Sequence, residues 1–121
     1  MTVNTVTHLN FRGDARAALT FHRSVFDGDM VAVTYRDVGN VVDPSEADQV
    51  MWGRVTAASG FAVMACDVPS HLPWHRGENA FCVSLRGEGA EEVTAYWERL
   101  SVGATVVIRW SRRSGRPCTG C

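Results

Sequence analysis

The chain closes on Arg116-Pro-Cys-Thr-Gly-Cys121, and a Cys-x-x-Cys spacing is chemistry-bearing, because two thiolates can supply half of a zinc site or cycle with a disulfide. A closed zinc site needs two more ligands, and the sequence has neither a second Cys-x-x-Cys nor a His-x-x-x-His helix. His71 and His75 stand four apart, but Pro73 between them denies the pair a shared helical face. Gly87 and Gly89 are too few to cradle a phosphate, and no Ser/His/Asp arrangement has a supporting context. The terminal cysteines are therefore expected to be a fortuitous surface pair, open to oxidation or intermolecular bridging.

The elements that would have to position any site belong to one short domain. With 121 residues there is room for a single core. The 45% hydrophobic and 21% charged residues describe a soluble globular chain, and no apolar run approaches the ~20 residues of a membrane span. No signal-peptide pattern opens the sequence, so a cytoplasmic location is expected. A net charge of −1 leaves no electrostatic footprint for nucleic acid. Twelve Arg against no Lys suggest a GC-rich gene, and four cysteines in a reducing compartment argue against a disulfide framework. Cys66 and Cys82, both in apolar strand-like runs, are expected to be small buried residues.

The chain repeats itself. In "VTHLNFRGDARAALTFHRSVFDGD" strand-like residues turn at Arg12-Gly13, Asp14 is a plausible N-cap, and Ala18, Phe21 and Val25 recur at helical spacing before Gly28, which can end the helix in a left-handed conformation. The stretch "FCVSLRGEGAEEVTAYWERLSVGA" repeats this order: Phe11-Arg12-Gly13-Asp14 matches Leu85-Arg86-Gly87-Glu88 at an offset of 74. With one residue inserted, Phe21, Val25 and Gly28 match Tyr96, Leu100 and Gly103 at an offset of 75. Between the repeats, "MVAVTYR", "QVMWGRVT" and "FAVMACDV" read as strands, with a hairpin turn at Ala57-Ala58-Ser59-Gly60. "VGNVVDPSEAD" is a loop, and "DVPSHLPWHRGEN" a Pro-punctuated linker. The second copy continues through Val93, Trp97 and Leu100 on its helix to the strand-like "ATVVI".

On "LNFRGDARAALTFHRSVFDGD", "ADQVMWGRV", "GFAVMACDVP" and "GENAFCVSLRG", continued by "LSVGATVV", the sequence resembles the PhnB-like branch of the glyoxalase/bleomycin-resistance/dioxygenase group, the vicinal oxygen chelate superfamily. The likeness spans residues 3–108. It implies an α+β fold of paired βαβββ modules curled around a pocket, usually in a homodimer. On that reading module one covers about residues 1–67, a linker about 68–78, and an incomplete module two, about βαβ, residues 79–108. Residues 109–121, with four Arg and no acid, depart from the pattern.

Relatives of this branch continue past "GATVV" into a Pro-Leu-Tyr-Gly-Met loop. One allowed coding of Arg116 to Cys121, CGC CCC TGT ACG GGA TGC, gives that pentapeptide when its first two bases are dropped. The hypothesis is that the tail after about Ile108 is a frameshift product. Sequencing the gene through that codon tests it; a stop in frame after Cys121 with no strand-coding sequence downstream in another frame would sink it.

Superfamily enzymes that use a metal draw one ligand from the first strand and one from a later strand of each module. The resemblance places His8 at the first position; the internal repeat sets Cys82 opposite it, and alignment on metalloenzyme strands gives Phe81 instead. Trp52 falls at or near the later-strand position, and an indole N–H cannot bind a cation. Two of four ligands, His8 and Cys82, are too few for a firm divalent-metal site, so no cofactor is expected. His8, Trp52, Phe61, Phe81 and Cys82 are the candidate pocket residues; Met51 and Met64 share their strands. His22 is read as structural, and Asp67 as fixing its turn through backbone N–H groups. No catalytic residue can be named. The expectation is a metal-free homodimer that binds a small apolar or aromatic molecule. A metal-dependent lyase, dioxygenase or thiol transferase, and an inactive paralogue, are the alternatives.

Overall fold

The computed structural model describes residues 3–78, 82–104 and the backbone of residues 118–120. The chain divides into two compact units, Met1–Glu78 and Asn79–Cys121.

The first unit contains strand β1 (Thr7–Phe11), helix α1 (Ala15–Phe26), strand β2 (Asp29–Thr34), a 3₁₀ turn (Pro44–Glu46), and strands β3 (Val50–Thr56) and β4 (Ala62–Asp67). They form one four-stranded sheet in the order β1-β4-β3-β2. β1 runs parallel to β4, while β2/β3 and β3/β4 are antiparallel. The hairpin at Ala57–Gly60 forms as its sequence predicts: Ala57 N–H donates to Phe61 O, and Gly60 takes a φ of 96°. Between β2 and β3 the register slips, so that Thr34 pairs with Val50 but Val33 with Trp52, leaving Met51 as a bulge.

Strand alternation decides the two faces of this sheet. Ala15 and Leu19 of α1 pack with Val50, Val55, Val63 and Ala65 in a closed core, and Leu9, Phe11, Met30, Ala32 and Phe61 extend it. Gly53 belongs to that face because a Cβ there would come within 2.3 Å of Leu19 Cδ1. Full burial of a Leu or Val side chain stabilises by about 1.5–3 kcal/mol, which makes this packing the main support of the unit.

Both ends of α1 differ from expectation. Asp14 occupies the N-cap position but makes no side-chain cap bond. That duty passes to Asp67, only 1% exposed, whose Oδ1 accepts the N–H of Gly13 (2.7 Å) and of Ala15 (3.1 Å). Its Oδ2 accepts the Val50 N–H at 2.9 Å. Asp67 thus does bond backbone N–H groups, though those of distant segments. At the other end Asp27 adopts the left-handed conformation (φ 51°). Gly28 is required instead by close approach, since a Cβ would lie 2.6 Å from Thr56 O.

The second unit contains strand β5 (Leu85–Gly87), helix α2 (Ala90–Ser101) and strand β6 (Cys118–Gly120), with β5 and β6 antiparallel. α1 and α2 are each 12 residues long, and their first residues, Ala15 and Ala90, stand at the offset of 75 that the repeat predicts. Gly87 meets Val93 closely, at 2.7 Å from an added Cβ to Val93 Cγ2. Beyond Ala104, the predicted strand "ATVVI" lies outside the described residues, as do the side chains of the terminal cysteines. No described helix is long and apolar enough to cross a membrane.

Candidate functional site

The face of the first unit's sheet opposite α1 carries the side chains that alternation turns away from the core. They come from His8 and Asn10 on β1, Val31 and Val33 on β2, Trp52 and Arg54 on β3, and Met64 and Cys66 on β4. Register then sets neighbours: His8 lies opposite Met64, Asn10 opposite Cys66, Arg54 opposite both Met64 and Val31, and Val33 opposite Trp52.

Polar groups gather at the β1/β4 side. The Cys66 thiol donates to Asn10 Oδ1 at 3.3 Å, and His8 Nε2 lies 3.3 Å from the same sulfur. Burial pushes the Cys66 thiol above its ordinary range, and the neighbouring Asp67 charge pushes it further. The sulfur is therefore a neutral hydrogen-bonding group at neutral pH rather than a thiolate nucleophile. Towards β3, the Arg54 guanidinium lies 5.7 Å from the centroid of the Trp52 ring. The result is an apolar patch of Trp52, Met64, Val31 and Val33, flanked by an imidazole, an amide, a thiol and a guanidinium.

The expected site residues separate on this map. His8 and Trp52 share the open face. Phe61 stands on the helix side, stacked on Phe26 (centroids 3.7 Å, planes 10° apart) and facing His22 at 5.9 Å. Cys82 belongs to the second unit and is exposed, contrary to the expected burial, because it precedes the first residue of β5. Cys66 is half-buried. Phe81 lies outside the described residues. His22 is structural as expected, its Nδ1–H donating to Ala18 O at 2.7 Å. Asn10, Arg54 and Cys66 escaped the sequence reading. The alternation of Met64 and Cys66 against Val63, Ala65 and Asp67 would have placed the thiol, but the parallel register with β1 is written in no local pattern.

His8 has a neutral thiol for its neighbour, Trp52 offers only an N–H, and among the described residues no three His, Cys, Asp or Glu side chains converge as a ligand set.

The segment after β4 is fastened to β1. Arg12 donates to the carbonyls of Val68 (3.3 Å), Pro69 (3.2 Å) and Leu72, and its guanidinium lies 5.6 Å from the Trp74 ring centroid. Trp74 Nε1–H donates to Asn10 O at 3.2 Å. What reads in sequence as a linker is therefore, over residues 68–74, a strap held across the end of β1.

Among solved structures, the protein PA1353 from Pseudomonas aeruginosa superposes with a TM-score of 0.74 at 23% identity, covering 93% of this chain and 82% of that one. A PhnB protein from Bacillus cereus, provisionally named a 3-demethylubiquinone-9 3-methyltransferase, superposes with a TM-score of 0.68 at 21% identity, covering 98% and 88%. The fold is PhnB-like. No family model matches the sequence, and no curated protein matches it. Identities this low carry the fold alone, so the chemistry has to come from the sheet face itself.

Proposed function

We propose that this chain binds a small, largely apolar or aromatic molecule on the open face of its first sheet, without a metal. The observation that supports this reading is the composition of that face. An aromatic ring and three aliphatic or thioether side chains are bordered by four polar groups of different hydrogen-bonding character. A mostly apolar surface with a few placed polar groups is the usual form of a small-ligand site. Trp52 would stack a planar ligand, Arg54 would meet an acceptor on its rim, and His8 with Asn10 would orient a hydroxyl or carbonyl. A homodimer belongs to the same reading, because a second copy would help to exclude water from so open a surface.

The test is ligand screening on protein stripped with a chelator. Small aromatic compounds are expected to bind the stripped protein, and Trp52→Ala to abolish binding while leaving the circular dichroism spectrum unchanged. Binding that appears only after Zn²⁺ or Mn²⁺ is added, and that His8→Ala removes, would replace this reading with a metal-dependent one.

A further inference from the structure

The first unit holds a concavity that shares no lining residue with the sheet face. The loop after β2, the 3₁₀ turn and the strap after β4 enclose a cleft of about 310 Å³. Tyr35, Met51, Val42 and Leu72 are among its walls, and Asp43, Glu46 and His71 are its ionisable groups.

Two features of this cleft are unusual for a surface loop. The first is apolar exposure: Val42 is 68% exposed and Leu72 48%, and with Val41 at 40% they meet at one rim although they come from segments some thirty residues apart. Single exposed aliphatic residues need no explanation, but a convergent set around a concavity does. The second is charge. The Asp43 carboxylate accepts from Ser45 N–H (2.9 Å) and Ser45 Oγ–H (2.7 Å), and these bonds hold its carboxyl below the usual range. Glu46 accepts the Ser70 Oγ–H at 2.6 Å on Oε1 and the Ser70 N–H at 3.1 Å on Oε2. Neither forms an ion pair with another described residue.

The walls are also well supported. Tyr35 is 9% exposed and its hydroxyl donates to Asp67 O at 2.7 Å, which fixes the ring. Arg12 holds Pro69 and Leu72 by their carbonyls, and Glu46 itself ties the strap to the 3₁₀ turn through Ser70. The cleft is therefore lined by two carboxylates and a fixed aromatic ring, with exposed aliphatic side chains at its rim.

We propose that this cleft binds a small organic cation with an apolar or aromatic body. Asp43 and Glu46 supply the charge that meets an ammonium or guanidinium head, and Tyr35, Val42 and Leu72 cover the body. The two carboxylates disfavour an anion, and a neutral molecule would leave their charge without a counter-charge. The site stands apart from the sheet face and does not depend on what that face binds.

The experiment is amide chemical-shift mapping on the full chain, titrated with benzyltrimethylammonium and, separately, with benzyl alcohol and benzoate. Shifts are expected at Val41, Val42, Glu46 and Leu72 with the ammonium, and benzoate should leave these amides unmoved. The double variant Asp43→Asn/Glu46→Gln keeps the one oxygen that takes both Ser45 bonds and the one that takes the Ser70 Oγ–H, and gives up only the Ser70 N–H bond to Glu46 Oε2, so it should fold, and it should weaken ammonium binding by about tenfold. Trp52→Ala should change nothing at these amides. Three results would each overturn the proposal: no shifts with the ammonium at millimolar concentration, benzyl alcohol binding as tightly, or shifts on His8, Trp52 and Met64 in place of the cleft.

Discussion

The two strand–helix repeats carry the same local instructions and are consolidated by different means. α1 lies on a four-stranded sheet and buries Ala15, Leu19, Val25 and Phe26. α2, of equal length, buries only Val93 among its own residues, and among the described residues its unit has the β5/β6 ladder. The N-terminus of α1 is bonded by a buried carboxylate from the far end of β4, whereas Gly89 at the start of α2 has no side chain with which to cap it. Helix length and position follow from local spacing; what holds the helix depends on strands that arrive later in the chain.

The largest expected effect that tests this contrast is at Asp67. Asp67→Ala leaves the N–H groups of Gly13, Ala15 and Val50 without their acceptor and should lower unfolding stability by roughly 3–5 kcal/mol in urea titration. A loss under about 1 kcal/mol would mean that the anchor is dispensable and the two repeats are equals after all. Next come the helix contacts. Leu19→Ala should cost about 2–5 kcal/mol and Val93→Ala roughly 1–2. Native-state hydrogen exchange should likewise show α1 amides opening only with global unfolding and α2 amides opening earlier; equal protection would erase the difference.

Glycines sharpen the comparison further. Gly53→Ala drives a methyl into Leu19 and is expected to cost about 1–3 kcal/mol. Gly89→Ala meets nothing within 4 Å and should stay within about 0.5 kcal/mol, both read as shifts in melting temperature.

The smallest effect concerns the thiols. Because the Cys66 pKa is raised in the folded state, the unfolded chain loses that proton first as pH rises, so the folded state gives up stability above the ordinary thiol range of ~8.5. Cys66→Ser should remove that slope, and Cys82, being exposed, should be alkylated before Cys66 in a timed mass-spectrometric experiment. Alkylation of both at one rate would contradict the half-buried placement of Cys66.

Much of the architecture could be read in the residues. The repeat offset predicts both helices, and strand alternation with a Gly-ended turn predicts the β3/β4 hairpin. The misses share one cause. Asp14 stands where a cap should stand, but the bond comes from Asp67, 52 residues beyond Ala15. Gly28 looks like a left-handed terminator, but the constraint on it is Thr56 O, and Asp27 takes the left-handed turn. On the proposed sheet face, His8 and Trp52 were already candidates in the sequence, while Cys66 was hidden because its nearness to His8 depends on a parallel pairing across 58 residues. Phe61 looks like a pocket aromatic until the sheet's handedness of faces is known. The cation-binding cleft was invisible for the same reason, since its rim joins two segments that sequence reads separately as loop and linker.

The position of Asp67 has a consequence for how the chain is made. β1 is synthesised first, yet its sheet neighbour is β4, the last strand of the unit, and the acceptor for the start of α1 is the final residue of that strand. A growing chain emerging from the ribosome can form the α1 turn and the β2/β3 hairpin early, but neither has a finished partner until residue 67 is free. Pairing across so long a span is entropically costly and slow compared with local contacts. The first unit is thus expected to be protease-sensitive in nascent chains stalled before that carboxylate emerges and to become resistant in one step once it has. Vectorial synthesis delivers the edge strand β1 first and its interior neighbour β4 last, and a single side chain acts as the latch between them.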